Sequence, residues 1–261
     1  MKKSLHFLLF AFVFISSHLF AQTYQLNGNP VVTTGWTLTN DAIVNTDFIQ
    51  LTPDQTSKVG SIKLNDPINL KYCDKWKVEF DFRIDGNGTT TYGRGDGFSF
   101  WYLQNPPANF VGGSGLGIPN GAIGLMAGFD IFNNSTEGQM SKVHLLYGVS
   151  TGNIEYNNTA GSSFHTPDLQ TSSPFVGATY KHVEVNGQVD PATPTNWIIQ
   201  VKIDNVIVIN QSFAPAGAAA AMTTVYFGFA GSTGGGSARN TINNVKVYID
   251  KVPLLQTSIT P

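Results

Sequence analysis

The chain has 261 residues, with 15 basic against 17 acidic side chains, 41% hydrophobic and only 12% charged residues, 27 glycines and 13 prolines. That profile is too apolar for a disordered chain and too rich in turn formers for a helical bundle. The lack of a basic excess argues against a nucleic-acid partner, and the single cysteine, Cys73, excludes an intramolecular disulfide.

The N-terminus reads as an export signal. Lys2 and Lys3 form a positive start, and Phe7 to Ile15 is an unbroken apolar run of nine residues, too short to span a bilayer. Ser16 and Ser17 follow, and Ala21 is a suitable small residue at a cleavage point. Residues 1–21 are therefore expected to be removed, with the mature chain beginning at Gln22 and secreted or held at the cell surface. It then carries 13 basic against 17 acidic residues, a formal charge of −4. No later stretch is long and apolar enough to insert in a membrane. Cys73 reads as a small buried hydrophobe.

Beyond the signal, short alternating runs are broken by Gly, Asn, Asp and Pro. In Val78-Glu79-Phe80-Asp81-Phe82-Arg83-Ile84 every second residue is apolar, the pattern of a strand with one face on a core and the other in water. Asp85 to Gly88 supplies turn chemistry after it. Trp197 to Ile209 reads as a hairpin turning at Asp204-Asn205, and Val225 to Phe229 and Val245 to Ile249 read as further strands. Ala216 to Met222 is long enough for one helical turn. Many short strands without intervening helices predict an all-β antiparallel sandwich or jelly roll, with residues 22–250 as one domain and 251–261 as a tail or linker.

Four segments break the strand grammar: Gly93 to Gly97, Gly112 to Gly117, Gly128 to Asn134, and Gly231 to Gly236. Singly, each reads as a turn. A phosphate loop at Gly112 to Gly117 fails because no lysine follows it and no helix pattern opens after it.

Taken in order, these segments resemble the legume (L-type) lectins and their bacterial relatives. Phe48 to Thr52 and Val59 to Ile62 are similar to the family's opening strands. Asp96-Gly97-Phe98-Ser99-Phe100 is similar to its Asp-Gly strand, Gly112 to Gly117 to its glycine loop, and Phe129 to Asn134 to the start of its metal loop. Trp197 to Val201 and Phe227 to Gly234 are similar to its late strands. The resemblance covers nearly all of the mature chain and implies a concanavalin A-like sandwich that binds sugar and is not an enzyme.

On that resemblance, Asp96 accepts hydrogen bonds from two sugar hydroxyls, the ionised acceptor making the stronger bonds. The Asn134 amide and the backbone N–H groups of Gly113 or Ser114 donate, the Phe132 ring covers an apolar sugar face, and Gly234 and Gly235 border the site. The Gly95–Asp96 peptide bond is expected to be cis. A calcium ion is implied, and calcium takes six to eight oxygen ligands. Asp130, the Phe132 carbonyl and Asn134 supply a start, with Glu137 and Gln139 as the nearest further candidates. Gln139 stands where the plant pattern has aspartate and Gly128 where it has glutamate. Those departures weaken the calcium set and argue against a second, transition-metal ion. His144 lies at the family's spacing for a ligand but reads first as a strand residue. The implied partners are glycans or polysaccharides. Family members often pair sheet edges, which leaves a homo-oligomer open.

Two other readings compete. A glycoside hydrolase on a similar jelly roll needs two carboxylates facing across a scissile bond. Glu79 and Asp81 share one strand face, but Arg83 stands where a third acid would complete the arrangement. A surface module that has lost its site is the third reading, and the intact Asp96, Phe132 and Asn134 argue against it.

Overall fold

In a computed structural model, residues 23–70 and 73–251 are described; the expected signal at 1–21 and the tail beyond Lys251 lie outside them. Among the described residues sixteen strands form two antiparallel sheets. In chain order they begin with β1 (Thr23–Leu26), β2 (Trp36–Asn40), β3 (Ile43–Val44), β4 (Ile49–Thr52), β5 (Val59–Leu64) and β6 (Ile68–Asn69). The long central strands follow: β7 (Cys73–Asp85), β8 (Gly97–Leu103), β9 (Ile123–Asn133) and β10 (Gly138–Val149). After β11 (Ser163–His165) come β12 (Lys181–Val189), β13 (Trp197–Ile203), β14 (Val206–Phe213), β15 (Thr224–Ser232) and β16 (Arg239–Lys251). The back sheet runs β14-β13-β12-β7-β16-β4-β3, with β1 paired to β16; the front sheet runs β11-β10-β9-β8-β15-β5-β2, with β6 paired to β15. Among the described residues no helix is long and apolar enough to cross a membrane. The segment expected to make one helical turn forms a 3-10 helix at Gly217–Ala221.

The alternation in β7 sends Trp76, Val78, Phe80, Phe82 and Ile84 inward, where all are buried. There they meet aromatic rings of the front sheet. Phe80 lies edge-on to Phe229 with centroids 4.9 Å apart, and Phe98 stacks on Phe129 at 4.8 Å. Such contacts add about 0.5–1.5 kcal/mol each beyond area burial. Cys73 is buried as expected, its thiol donating to the Lys75 carbonyl at 2.8 Å. The β13–β14 hairpin turns at Asp204 and Asn205, whose φ values of 49° and 68° are those of a tight two-residue turn.

The front sheet departs from simple alternation. Every residue of β8 is buried. Its outer face is covered by a second apolar cluster in which Trp101, Leu103 and Met126 pack with Phe110, Leu116 and Ile118 from the connection between β8 and β9. That connection carries the glycine cluster 112–117 across the sheet and places it beside the start of β8.

Candidate functional site

The site is built where the chain enters β8. Gly97 has φ 135°, and a Cβ there would sit 2.1 Å from the Phe129 carbonyl oxygen, so only glycine lets β8 and β9 close at this point. The preceding Gly95–Asp96 bond is cis. Asp96 is fixed by its backbone: its N–H donates to Ser232 O at 3.1 Å and its carbonyl accepts from Ile131 N at 2.9 Å. Its side chain is only 5% exposed, and Oδ2 is buried without a hydrogen-bond partner. Burial, then the nearby charges of Asp130 and Glu155, push its pKa up to about 7.

Two loops close on this carboxylate. The Ser232 hydroxyl donates to the Gly113 carbonyl at 2.7 Å, tying the glycine loop to the end of β15. A Cβ on Gly234 would stand 3.1 Å from Asp96 Oδ2, so the absent side chain there keeps the carboxylate approachable. Tyr92 covers Gly235, whose Cβ would fall 2.9 Å from its ring, and lies edge-on to Phe132 at 6.4 Å.

Beside Asp96 lies a cluster of ionisable groups. The ligand atoms of Asp130, His144 and Glu155 all fall within 4.8 Å of one another. Asp130 on β9 is 1% exposed; Oδ1 accepts from Phe132 N at 2.9 Å, and Oδ2 has no hydrogen-bond partner. Burial raises its pKa well above the carboxylate range, outweighing the Phe132 N–H, and Glu155 adds to the rise. Glu155 sits on a 3-10 turn, Ile154–Tyr156, capped by the Asn153 side chain, and accepts from Asn134 N at 3.2 Å. The Asn134 Nδ2 is buried and unpartnered.

The hydrogen bonds leave one consistent assignment of protons. His165 Nε2 faces two acceptors, Asn157 O at 3.1 Å and Asn158 Oδ1 at 3.0 Å, so it donates. Burial holds His165 below the usual histidine range, and in its neutral form Nδ1 accepts from His144 Nδ1, 2.7 Å away. His144, whose pKa burial pushes down to about 4, then turns a bare Nε2 lone pair on Asp130 Oδ2 at 3.3 Å. Two acceptors facing each other beside a second carboxylate call for a proton or a cation between them. The residues therefore fit a bound divalent metal.

A model of the legume-like lectin family matches residues 13–248. The chain belongs to the legume-like lectin family. The vesicular integral-membrane protein VIP36 of Canis lupus familiaris is 25% identical over 223 residues, which is 82% of this chain and 56% of that protein. The VIP36-like protein of Bos taurus is 30% identical over 125 residues, 47% of this chain and 34% of that protein. This lectin-family chain thus spans about half the length, 56%, of VIP36. Among solved structures, the VIP36 exoplasmic/lumenal domain in a Ca2+/Man3GlcNAc-bound form aligns with TM-score 0.60 at 20% identity, over 84% of this chain and 85% of that one. The metal-free Emp46p carbohydrate recognition domain aligns with TM-score 0.60 at 17% identity, over 86% and 95%. Both share the fold.

Within this lectin framework the sequence-derived residues separate. Asp96, Gly113, Gly234 and Gly235 gather at one pocket, and Ser114 follows Gly113 on the same loop. Asp130 belongs to the neighbouring cluster, to whose carboxylates the Phe132 and Asn134 backbone N–H groups donate, but Glu137 and Gln139 do not join it. Glu137 is exposed in the β9–β10 turn at φ 53°, and the exposed Gln139 donates its amide to the Arg94 carbonyl at 2.7 Å. Glu155 is the acid that does lie with Asp130 and His144. It was discoverable as the sole acid between Glu137 and Asp168, although separated from the metal loop by all of β10. His144 is a strand residue, as read, and its ring also closes the cluster. Phe132 is 8% exposed and offers little ring surface; Tyr92, 39% exposed, is the aromatic that faces solvent beside it. A tyrosine among Thr89, Thr90, Thr91 and Gly93 was the signal for it.

Glu79 and Asp81 are engaged with other side chains. Glu79 pairs with Lys77 and accepts from the Tyr248 hydroxyl at 3.3 Å. Burial would raise its pKa, but the Lys77 bond and charge outweigh that and hold it low. Asp81 accepts from His182 Nδ1 and Asn244 Nδ2, each at 2.7 Å.

Proposed function

We infer that this chain is a glycan-binding lectin domain whose site is made by Asp96, Asn134, the Gly113–Ser114 backbone, Gly234–Gly235 and Tyr92, ordered by calcium. The observation that carries this is the pair of buried, unspent polar groups, Asp96 Oδ2 and Asn134 Nδ2, near a cluster able to hold a cation. Buried polar groups are normally satisfied, so two left unpaired near the same loops suit a polar ligand. Sugar hydroxyls both donate and accept, which suits a carboxylate and an amide side by side. Asp130, Glu155, Asn134 and the Phe132 carbonyl offer oxygen donors suited to calcium, with His144 adding one nitrogen. The ion would neutralise the two carboxylates and so keep Asp96 ionised. VIP36 has been solved with Ca2+ and with mannose-containing ligands, which supports the same class of ligand here.

The exported location expected from residues 1–21 agrees with a protein that meets extracellular or lumenal glycans. Hydrolysis is not expected, because Glu79 and Asp81 are both engaged by neighbouring side chains. Binding per site would be weak, with avidity coming from multivalent display. A glycan array probed with the mature protein in calcium, in excess chelator, and after chelator with manganese or zinc tests the reading. Calcium-dependent binding lost in Asp96→Ala is expected. Binding unaffected by both chelator and Asp96→Ala would place the sugar elsewhere.

A further inference from the structure

A second surface has the chemistry of a binding site, on the opposite sheet. The outer face of the back sheet holds a groove of 740 Å³. One row of residues in register crosses five strands along it: Tyr248 on β16, Lys77 on β7, Asn186 on β12, Gln200 on β13 and Asn210 on β14. Neighbouring strands lie about 4.8 Å apart, so the row is roughly 19 Å long. A second row beside it includes Gln188 and Ile198, which also line the groove.

The side chains in the groove differ from those on the rest of the same face. Farther along the sheet the charges pair with one another: Lys202 with Glu184 at 3.3 Å, His182 with Asp81 at 2.7 Å, and Arg239 with Asp85 at 2.7 Å. In the groove, the four amides of Asn186, Gln188, Gln200 and Asn210 make no side-chain hydrogen bond to any described residue. Of the two lysines there, Lys77 is engaged by Glu79 and lies 4.9 Å from the centre of the Tyr248 ring. What the groove presents is therefore chiefly an array of neutral amides, each offering donor and acceptor, with two lysines at Lys75 and Lys77 and apolar surface at Ile198 and Tyr248.

We propose that this groove binds an extended neutral polysaccharide independently of metal and of Asp96. A chain of sugars repeats hydroxyls along its length, which suits amides repeated at strand spacing. The groove length suits several linked sugars and not a single one. A charged polymer would find few charges to meet, since the lining holds two lysines, one of them engaged by Glu79, and no acid. A second copy of this chain would gain little here, because the exposed apolar residues of β14, Val206 and Ile207, lie toward the hairpin turn and outside the groove.

Native affinity electrophoresis in gels containing laminarin, xylan, mannan or dextran, all in excess EDTA, tests the proposal. Retardation by at least one polymer is expected, with apparent affinity falling at least tenfold in the Asn186→Ala/Gln200→Ala variant. The Gln188→Ala/Asn210→Ala variant, whose two positions are exposed, should lose affinity similarly with an unchanged melting temperature. Both variants should keep the calcium-dependent array signal of the Asp96 site, so the two sites are scored separately. No retardation in any of the four gels, or equal retardation of wild type and both variants, overturns the proposal. So does a dimer in sedimentation that the variants break without changing gel mobility, which would make the face a protein interface.

Discussion

Asp96→Asn should move stability and binding in opposite directions. In chelated protein, burial and the charges of Asp130 and Glu155 raise the Asp96 carboxyl from 3.8 to about 7. The folded state thus holds the proton more tightly than the unfolded chain. Stability from this group is complete below the unfolded pKa and is lost as pH rises through the folded one. The loss between pH 4 and 8 is on the order of 4 kcal/mol, at about 1.4 kcal/mol for each pKa unit. Asparagine is neutral throughout, so in EDTA at pH 8 the variant should be more stable than wild type by up to that amount. The gain should vanish near pH 4. Its calcium-dependent glycan affinity should nevertheless fall roughly 10- to 150-fold, the equivalent of a lost charged hydrogen bond worth about 1.5–3 kcal/mol. Urea unfolding across pH 4–8 in EDTA, paired with calorimetric glycan titration in calcium, measures both. A variant no more stable than wild type in EDTA at pH 8 would refute the account of a strained, unpaired carboxylate.

Three further outcomes follow from the site. Glu155→Gln should reduce the calcium-induced rise in melting temperature, whereas Glu137→Gln should leave it intact; equal effects in scanning fluorimetry would return Glu137 to the ligand set. Tyr92→Ala should weaken glycan binding by several-fold to tenfold without unfolding the domain, since its exposed ring stacks only at the site; unchanged affinity by calorimetry would remove it from the pocket. Asp54 braces the loops around the site, accepting from Asn87 N and the Ser237 hydroxyl, each at 2.7 Å. Burial tends to raise its pKa, but those bonds prevail and hold it low, so its contribution is present above the unfolded carboxylate pKa and lost on acidification. Asp54→Ala should therefore lower the melting temperature at pH 7, with the gap narrowing toward pH 3; a gap independent of pH would deny the carboxylate that role.

The sandwich was legible because its strands alternate. Glu79 and Asp81 alternating with Val78, Phe80 and Phe82 gave β7 and its facing without further help, and the Asp-Asn turn located the β13–β14 hairpin. The β8 strand was less legible, because both its faces are buried and alternation vanishes when a loop covers the outer side. The segments from Asp96 to Asn134 were singled out by local motifs and by their resemblance to the lectin family. Glu155 was not, because it comes close to Asp130 and His144 through the pairing of β9 with β10 and a 3-10 turn after it, a proximity created only by folding. Phe132 was given the ring-to-sugar role by resemblance alone; that it is buried while Tyr92, from another loop, stands exposed beside it is a product of the fold.

The apolar lid over β8 has a consequence for how such a site can diversify. Because Phe110, Leu116 and Ile118 shield Trp101 and Met126 from water, the connection that carries the glycine loop is a structural part of the domain as much as a part of its binding surface. Shortening it would uncover apolar surface that monomers rarely tolerate. Tyr92 and Gly235 are exposed at loop tips whose neighbours are other loops, so insertions there cost little. Ligand preference in descendants of this chain should therefore drift at the Tyr92 and Gly235 tips, while the glycine loop keeps its length.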